Sequence, residues 1–368
     1  MATAPARARH GRMRRAARRL ALAVLAALAM LLLGGCRTLG YYAHVGHGQL
    51  ALMAQREPIT EVIADPATDP ALRERLGELR DARAFASERL GLPRNGSYTG
   101  YVALPGPYVT WNVFAAPEFS VEPLTHCFPI AGCVAYRGYF DADRARREAA
   151  RLRGRGYQTH VGGVAAYSTL DWFDDPVLSS MLAPGQDDPV GVMFHELAHQ
   201  WLYLRDDTAF NESLASFVQR QGLREWRAAR GKSPPDPALE AHERAFVSHA
   251  LALRDTLAAI YRRPLTHEAM RAERDTAIAG FRAWHAQARR ERWPDDARFD
   301  RWVAEPINNA KLVPLGLYDR WVPAFSALFQ QSGGDWQRFE ASVRAIAAQP
   351  RATRTASLEA LLPPGSAD

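Results

Sequence analysis

Two histidines and two glutamates close together carry the clearest chemical signal in this sequence. The motif H-E-x-x-H is present as His195, Glu196 and His199. Positions i and i+4 lie on one face of a helix, so both imidazoles can reach one metal ion. Glu196 would project beside that ion and take a proton from the attacking water. The alternative is a helix whose histidines only form hydrogen bonds.

A third metal ligand is predicted at Glu212. A catalytic zinc ion keeps three protein ligands and an open fourth position. Polar residues 205–208 predict a turn and an N-cap after the first helix. In an antiparallel helical hairpin with a rise of ~1.5 Å per residue, Glu212 would lie level with His199. We therefore expect one Zn²⁺ ion on His195, His199 and Glu212, with Glu196 as the catalytic base.

Other residues compete for the remaining roles at such a site. The rival third ligands are two aspartates of the turn and three remote histidines: Asp206, Asp207, His126, His160 and His267. Candidates to stabilise the developing oxyanion are Tyr318, Tyr261 and His267, although an ordinary buried position in the core is the favoured interpretation for any one of them. The predicted strand over residues 161–170 is either an ordinary core or edge strand, or one that pairs with substrate backbone.

The N-terminus reads as a targeting segment. Seven arginines precede an apolar run of only 14 residues, Leu20 to Leu33. Because a membrane-spanning helix needs ~20 residues, a secretory signal over residues 1–35 fits better than a permanent anchor. Leu33-Gly34-Gly35-Cys36 resembles the bacterial lipobox, which implies acylation of Cys36. An ordinary signal followed by a chance cysteine is the alternative.

The net charge argues against binding to nucleic acid. The formal charge of +6 comes from 46 basic and 40 acidic residues. All seven arginines of residues 1–35 would leave with the signal, so the mature chain would hold 39 basic and 40 acidic residues. A nearly neutral chain has no general attraction for phosphate backbones. We therefore expect a peptide or protein substrate and a membrane contact through the N-terminal lipid.

The other two cysteines, Cys127 and Cys133, are close in sequence. An even pair in an exported protein predicts a disulfide bond, worth roughly 2 kcal/mol for so short a loop. Two free buried thiols, or a second zinc site that recruits His126, are the alternatives. A structural zinc site needs four ligands, and the sequence shows no such set here.

Hydrophobic spacing predicts an α+β fold that is mostly helical. Helices are expected over 37–57, 65–92 and 141–153, and from Pro189 onward with breaks at 233–235 and 293–294. Aromatic and β-branched runs predict strands over 98–104, 108–114, 134–139 and 161–170. They would form a small antiparallel sheet beside the helix of the metal motif. We expect a single domain over 36–368 whose part from about 236 is helical.

Several short segments of the chain resemble a known group of enzymes. The segments 195–199 and 210–213, here called the two metal motifs, look like those of the gluzincin branch of the zincin metallopeptidases. More narrowly, the chain resembles a bacterial family described as "putative aminopeptidases", many of them lipoprotein-like. The resembling segments are 127–133, 136–140, 167–170, 195–199, 210–213 and 308–312. The resemblance implies a zincin-like fold, one catalytic zinc ion and aminopeptidase activity, although the chain lacks the Gly-x-Met-Glu-Asn exopeptidase signature.

The sequence thus predicts an exported, lipid-anchored zinc peptidase on the periplasmic face of the cell envelope. Arg37 after the anchor cysteine is not an inner-membrane retention aspartate, which favours the outer membrane. The alternative function is a lipoprotein that retains the fold as a binding or envelope-assembly module. An intact Glu196 disfavours that alternative, since a scaffold needs no base at this position.

Overall fold

The computed structural model describes residues 38–128, 132–183, 188–234 and 236–362. The predicted signal, residues 1–35, and Cys36 lie outside the described residues. The chain divides into two compact units, with the boundary between Ala54 and Gln55. In the first unit residues 38–53 form a helix, α1, within the range predicted as helical. No helix in the described ranges is long and apolar enough to cross a membrane.

The second unit is mostly helical and contains short strands, which confirms the α+β class. Its helices are α2 Ile59–Ala64, α3 Pro70–Glu88, α4 Ala142–Arg153, α5 Pro189–Trp201, α6 Thr208–Ala229, α7 Pro237–Arg262, α8 His267–Glu291, α9 Asp300–Ala304, α10 Asn309–Tyr318, α11 Val322–Gln331, α12 Trp336–Ala347 and α13 Arg351–Glu359. Its strands are β1 Glu57–Pro58, β2 Gly100–Val102, β3 Thr110–Pro117, β4 His126–Phe128, β5 Gly132–Val134, β6 Tyr136–Tyr139, β7 Tyr157–Val164 and β8 Val177–Leu178.

The strands form three small sheets. The main sheet is antiparallel, with the order β6–β3–β7, and β6 and β7 are its edge strands. β4 and β5 form an antiparallel hairpin. In the third sheet β2 pairs antiparallel with β1 and parallel with β8. The strand predicted over 161–170 lies earlier, at 157–164, because residues 165–176 leave the sheet and turn towards α5.

The long helices begin at the capping signals in the sequence. Asp141 caps α4 by accepting a hydrogen bond from the Arg144 amide, at 2.7 Å. Asp188 does the same for α5 from the Val190 amide, at 3.0 Å, and a proline follows it as the first helical residue. An N-cap carboxylate satisfies an amide that has no partner inside the helix. These caps fix where the element that carries the H-E-x-x-H motif starts.

Close packing of α5 on α6 forms the centre of the molecule. Gly222 of α6 makes this approach possible, because an added Cβ would lie 2.8 Å from Leu90 Cδ1 and 2.9 Å from Phe194 Cδ2. Phe194 and Leu197 of α5 are fully buried against this neighbour. A second apolar cluster joins α7 and α8 around Phe246, whose ring stacks on that of Phe299 with a centroid distance of 4.0 Å.

The segment Asn308-Asn309 attaches α10 to the main sheet. Asn308 donates from its side-chain amide to the Thr159 carbonyl at 3.2 Å and caps α10 through the Lys311 amide at 2.9 Å. Asn309 donates to the carbonyls of Pro117 and Glu118, at 3.0 and 2.9 Å. These bonds satisfy backbone groups at the ends of β3 and β7, and they fix the helix that ends at Tyr318.

Candidate metal and catalytic site

The two metal motifs lie on consecutive helices joined by an extended connection. α5 ends at Trp201, before the polar residues predicted to close it, and residues 202–207 link it to α6. Asn211 explains this early end, because its side chain accepts from the Leu204 amide and donates to the Leu204 carbonyl, both at 2.7 Å. The short turn expected at 205–208 is therefore wrong in detail, and Glu212 still faces α5.

The structure brings His195, His199 and Glu212 together. Oε2 of Glu212 lies 3.3 Å from Nε2 of His195 and 3.5 Å from Nε2 of His199. One ligand atom from each residue lies within 4.8 Å of the others. All three side chains are buried, at 6–9% exposed. Within the described residues this is the one group of three or more such side chains with a metal-site spacing.

These distances fit a bound metal ion. Zinc–ligand bonds of ~2.0–2.2 Å in a tetrahedral shell place neighbouring ligand atoms about 3.4 Å apart. Oε2 of Glu212 is buried and accepts no hydrogen bond within the described residues. A buried carboxylate oxygen that accepts no hydrogen bond is costly, and a cation shared with the imidazoles removes that cost.

Gln219 sets the orientation of the first imidazole. Its Oε1 lies 3.1 Å from Nδ1 of His195. Because an amide oxygen only accepts, this contact favours a proton on Nδ1, which would leave the Nε2 lone pair free for a metal ion between His195 and Glu212. Gln219 follows Glu212 by seven residues on α6, so the two share a helix face. That spacing is the sequence signal that could have identified Gln219, which our sequence analysis missed.

The two glutamates have opposite electrostatic environments. Burial would raise the pKa of Glu212, but the imidazoles of His199 and His195 outweigh it and lower that pKa to about 2. Burial raises the pKa of Glu196 to about 8; His195 opposes this shift, and the carboxylates of Glu212 and Asp175 add to it. Glu212 is therefore ionised at neutral pH, and Glu196 is poised to exchange a proton there. A cation on the three ligand atoms would lower the pKa of Glu196.

Of the three oxyanion candidates, Tyr318 is the one at this site. Its ring stacks on His195 with a centroid distance of 6.0 Å. Burial, followed by the charge of Glu212, raises the pKa of its phenol well above the usual value, so the hydroxyl stays a hydrogen-bond donor. Tyr261 instead packs on Phe119, as does the imidazole of His267.

Tyr203 was not predicted, because α5 was expected to continue through it. It lies in the connection between the helices, with its ring 6.5 Å from that of His199. Burial, with the charges of Glu212 and Asp206, raises the pKa of its phenol to about 12. A second protonated phenol therefore borders the site.

The rival third ligands have other positions. Asp207 caps α6 by accepting from the Phe210 amide at 3.2 Å and pairs with Arg354 at 2.6 Å. Asp206 accepts from the Cys133 amide at 2.6 Å. His160 stacks on Phe114 in the main sheet, and neither it, His126 nor His267 joins the group around Glu212.

The hairpin β4–β5 packs on the connection between the two metal-site helices. The sulfurs of Cys127 and Cys133 lie 1.94 Å apart, at the distance of a disulfide bond. Gly132 has a φ of +74°, and an added Cβ would come 2.6 Å from both Arg205 Cγ and Asp206 Oδ1. The hairpin thus braces the segment that sets the spacing between His199 and Glu212.

We predict that Cys127 and Cys133 are bonded to each other in the purified protein. In a Cys36→Ala background these are the remaining cysteines of the chain's three. Alkylation in denaturant should then add no label before reduction and two labels after it, as counted by intact mass. Two labels before reduction would mean free thiols and would reopen the second-zinc alternative.

Known sequences place the chain in one family. A search of curated proteins and a search of solved structures each returned no match. Residues 40–358, most of the 368-residue chain, match the family described as "Putative aminopeptidase", and these include the hairpin, both metal motifs and the Asn308-Asn309 segment. The chain therefore belongs to this aminopeptidase family.

Proposed function

We propose that this chain is a zinc-dependent peptidase of the gluzincin type that removes amino-terminal residues. The observation that carries the proposal is the buried convergence of His195, His199 and Glu212 with Glu196 on the same helix as the histidines. Two imidazoles and one carboxylate form a donor set that suits Zn²⁺ and leaves one position open. The family supports a peptide substrate.

When bound, zinc supplies Lewis-acid chemistry that polarises the scissile carbonyl and makes water more acidic. The carboxylate of Glu196 takes a proton from the attacking water and passes it to the leaving amine. Gln219 keeps the His195 ring oriented during these steps. The phenol of Tyr318 remains a donor, so it can hydrogen-bond to the carbonyl oxygen as negative charge develops there.

Substrate backbone would pair with the free edge of β7, as zincin-like cleft strands do. This strand lies at an edge of the main sheet; the Thr159 carbonyl accepts from Asn308, and the part of the edge after Thr159 can add an extended peptide. Residues 165–176 follow β7 and lead to β8, and burial, followed by the charges of Asp175 and Glu196, raises the pKa of Tyr167 within them. Peptide bound along β7 would therefore continue towards Glu196.

Digestion of a peptide library, followed by mass spectrometry, tests this function. The wild type should shorten peptides from their amino ends, and Glu196→Gln, assayed in parallel, should not. The zinc content of both proteins is measured alongside. Stoichiometric zinc without turnover of any peptide would instead support the binding or envelope-assembly role.

We further propose export and lipid anchoring at Cys36, in the cell envelope and at the outer membrane. Intact mass should show Cys36 as an acylated mature N-terminus, because the sequence before it matches a lipobox and at least two acyl chains give stable anchoring. Cys36→Ala should release the protein from membranes. Arg37→Ala keeps the cysteine and should stay lipidated. An unlipidated wild type would contradict the proposal.

A further inference from the structure

A loop closed by hydrogen bonds and linked to the helix of the H-E-x-x-H motif presents two exposed aromatic side chains. We call residues Thr169–Asp175 the aromatic loop. Leu170 and Asp171 both have left-handed backbones, with φ of +55° and +67°. Thr169 closes the loop, since its hydroxyl oxygen lies 2.7 Å from Asp175 Oδ1 and accepts from the Phe173 amide at 3.1 Å. These bonds hold the loop in one shape without packing its tip.

The tip of the loop combines aromatic surface with negative charge. Trp172 is 65% exposed and Phe173 is 39% exposed. In sequence this pair is flanked by Asp171 and Asp174, both exposed, and the carboxylate of Asp174 lies against Gly96, where an added Cβ would come 2.4 Å from its Oδ2. Across the described residues neither carboxylate forms an ion pair; the side-chain amide of Asn95 donates to Asp171 at 2.7 Å. The electron-rich ring faces and the two carboxylates all favour a cation.

Hydrogen bonds connect the aromatic loop to the helix of the metal motif. Gln200 directly follows His199, and its side chain donates to Asp175 Oδ2 at 3.0 Å. Asn95 bridges the two elements, because its amide nitrogen lies 2.8 Å from Gln200 Oε1 as well as close to Asp171. Gln200 lies one turn after Glu196 on the same face of α5. The loop is therefore held at a fixed position on the Glu196 side of the site.

From this arrangement we infer that the aromatic loop binds a positively charged nitrogen of the substrate peptide. The occupant is an ammonium or guanidinium group close to the cleavage site, held over the Trp172 ring between Asp171 and Asp174. The charges are complementary, and a tryptophan side chain, with only two rotatable bonds, loses little conformational entropy when it binds. This inference rests on the proposed function, since it names the class of peptide that the same site prefers.

The test compares matched peptides on matched variants. Peptides that differ only by Lys or Gln near the cleavage site, each with a free or acetylated amino end, separate the two sources of positive charge. Binding to the Glu196→Gln protein is measured by fluorescence anisotropy of dye-labelled peptides, and kcat/KM is measured on proteins with an intact base. The loop variants are the double change Asp171→Asn/Asp174→Asn, and Trp172→Ala.

We expect the wild type to prefer the cationic peptide of at least one pair. At low salt the double variant should reduce the ratio between the cationic and the neutral peptide about tenfold, and Trp172→Ala should reduce it about threefold. These sizes are typical of exposed ion pairs and cation–π contacts. Added salt should weaken the wild-type preference. Leu239→Ala removes an exposed apolar side chain on α7 and should change nothing. Circular dichroism and zinc content verify that each variant is folded.

Each outcome decides the inference separately from the proposed function. Equal losses for charged and neutral peptides would show that the loop only supports the fold, and would overturn the inference. So would hydrolysis without any preference for charge, although the peptidase function would then stand. If no peptide is cleaved but binding still prefers the cation through the loop, the inference stands and the peptidase function fails.

Discussion

Glu212→Gln is expected to lower zinc affinity by at least about 100-fold. Loss of an outer-shell partner already costs ~10–100-fold, and we propose Glu212 as a direct ligand. A neutral amide is a poor ligand for Zn²⁺ compared with carboxylate or imidazole. The substitution also removes the negative charge that lies 3.3 Å from His195 and 3.5 Å from His199. Metal content by elemental analysis, and competition with a chelator, measure the loss.

Asp206→Asn is the matched control for Glu212→Gln. It is the same type of change in the connection just before α6, and Asp206 holds the Cys133 amide and not a metal-site atom. This variant should keep zinc, and both proteins should stay folded by circular dichroism. If Glu212→Gln retained zinc as tightly as the wild type while Asp206→Asn or Asp207→Asn lost it, the ligand would lie in the connection, and the site described here would be wrong.

The parts of this site that sequence reasoning anticipated are local in sequence. His195 and His199 share a face because helical spacing puts them there. Glu212 was predicted from a helical hairpin, and the structure places it beside the histidines. The end of α5 was misplaced, because the bonds from Asn211 to the Leu204 backbone decide it. Such a side-chain contact competes with helical hydrogen bonds and leaves no periodic signal.

Long-range contacts explain what the sequence did not show. The buried carboxylate of Asp175 accepts hydrogen bonds from Thr169 and Gln200. The backbone amide of Asp175 donates to Ser97, 78 residues away in sequence, and no periodic pattern indicates this contact. β8 pairs parallel with β2 across a similar separation. Boundaries of short strands depend on these partners, whereas the helices from Pro189 onward follow from their own amphipathic spacing and caps.

Glu196→Gln is expected to separate catalysis from metal binding. The amide has nearly the shape of the carboxylate that it replaces, at a position only 8% exposed, so α5 should keep its packing. The three residues that we propose as metal ligands are unchanged, and zinc content should match the wild type. Loss of a general base costs about 10²–10⁴-fold in rate. Single-turnover rates on a cleaved library peptide, with zinc measured in the same samples, test this.

The same variant has a second signature that does not involve catalysis. In the folded chain the pKa of Glu196 is raised to about 8, above its ordinary value of 4.5. Between those two values the folded state holds a proton that the unfolded state releases, so stability contributed by this group falls as the pH rises through that range. Glutamine does not titrate. After chelation of metal, Glu196→Gln should therefore lose less stability between pH 5 and pH 8 than the wild type, as measured by denaturant unfolding.

Together the two glutamate variants distinguish a peptidase site from a coincidental H-E-x-x-H match. A helix whose histidines only form hydrogen bonds would bind no zinc in any variant, and the Glu196 change would not affect hydrolysis. A retained but inactive fold would bind zinc through Glu212 and show no rate for Glu196→Gln to reduce. Loss of metal in one variant, with loss of rate and full metal in the other, requires that Glu212 holds the ion and Glu196 acts on the water. Equal loss of metal in both would show instead that Glu196 supports the ligands, and a different group would have to serve as the base.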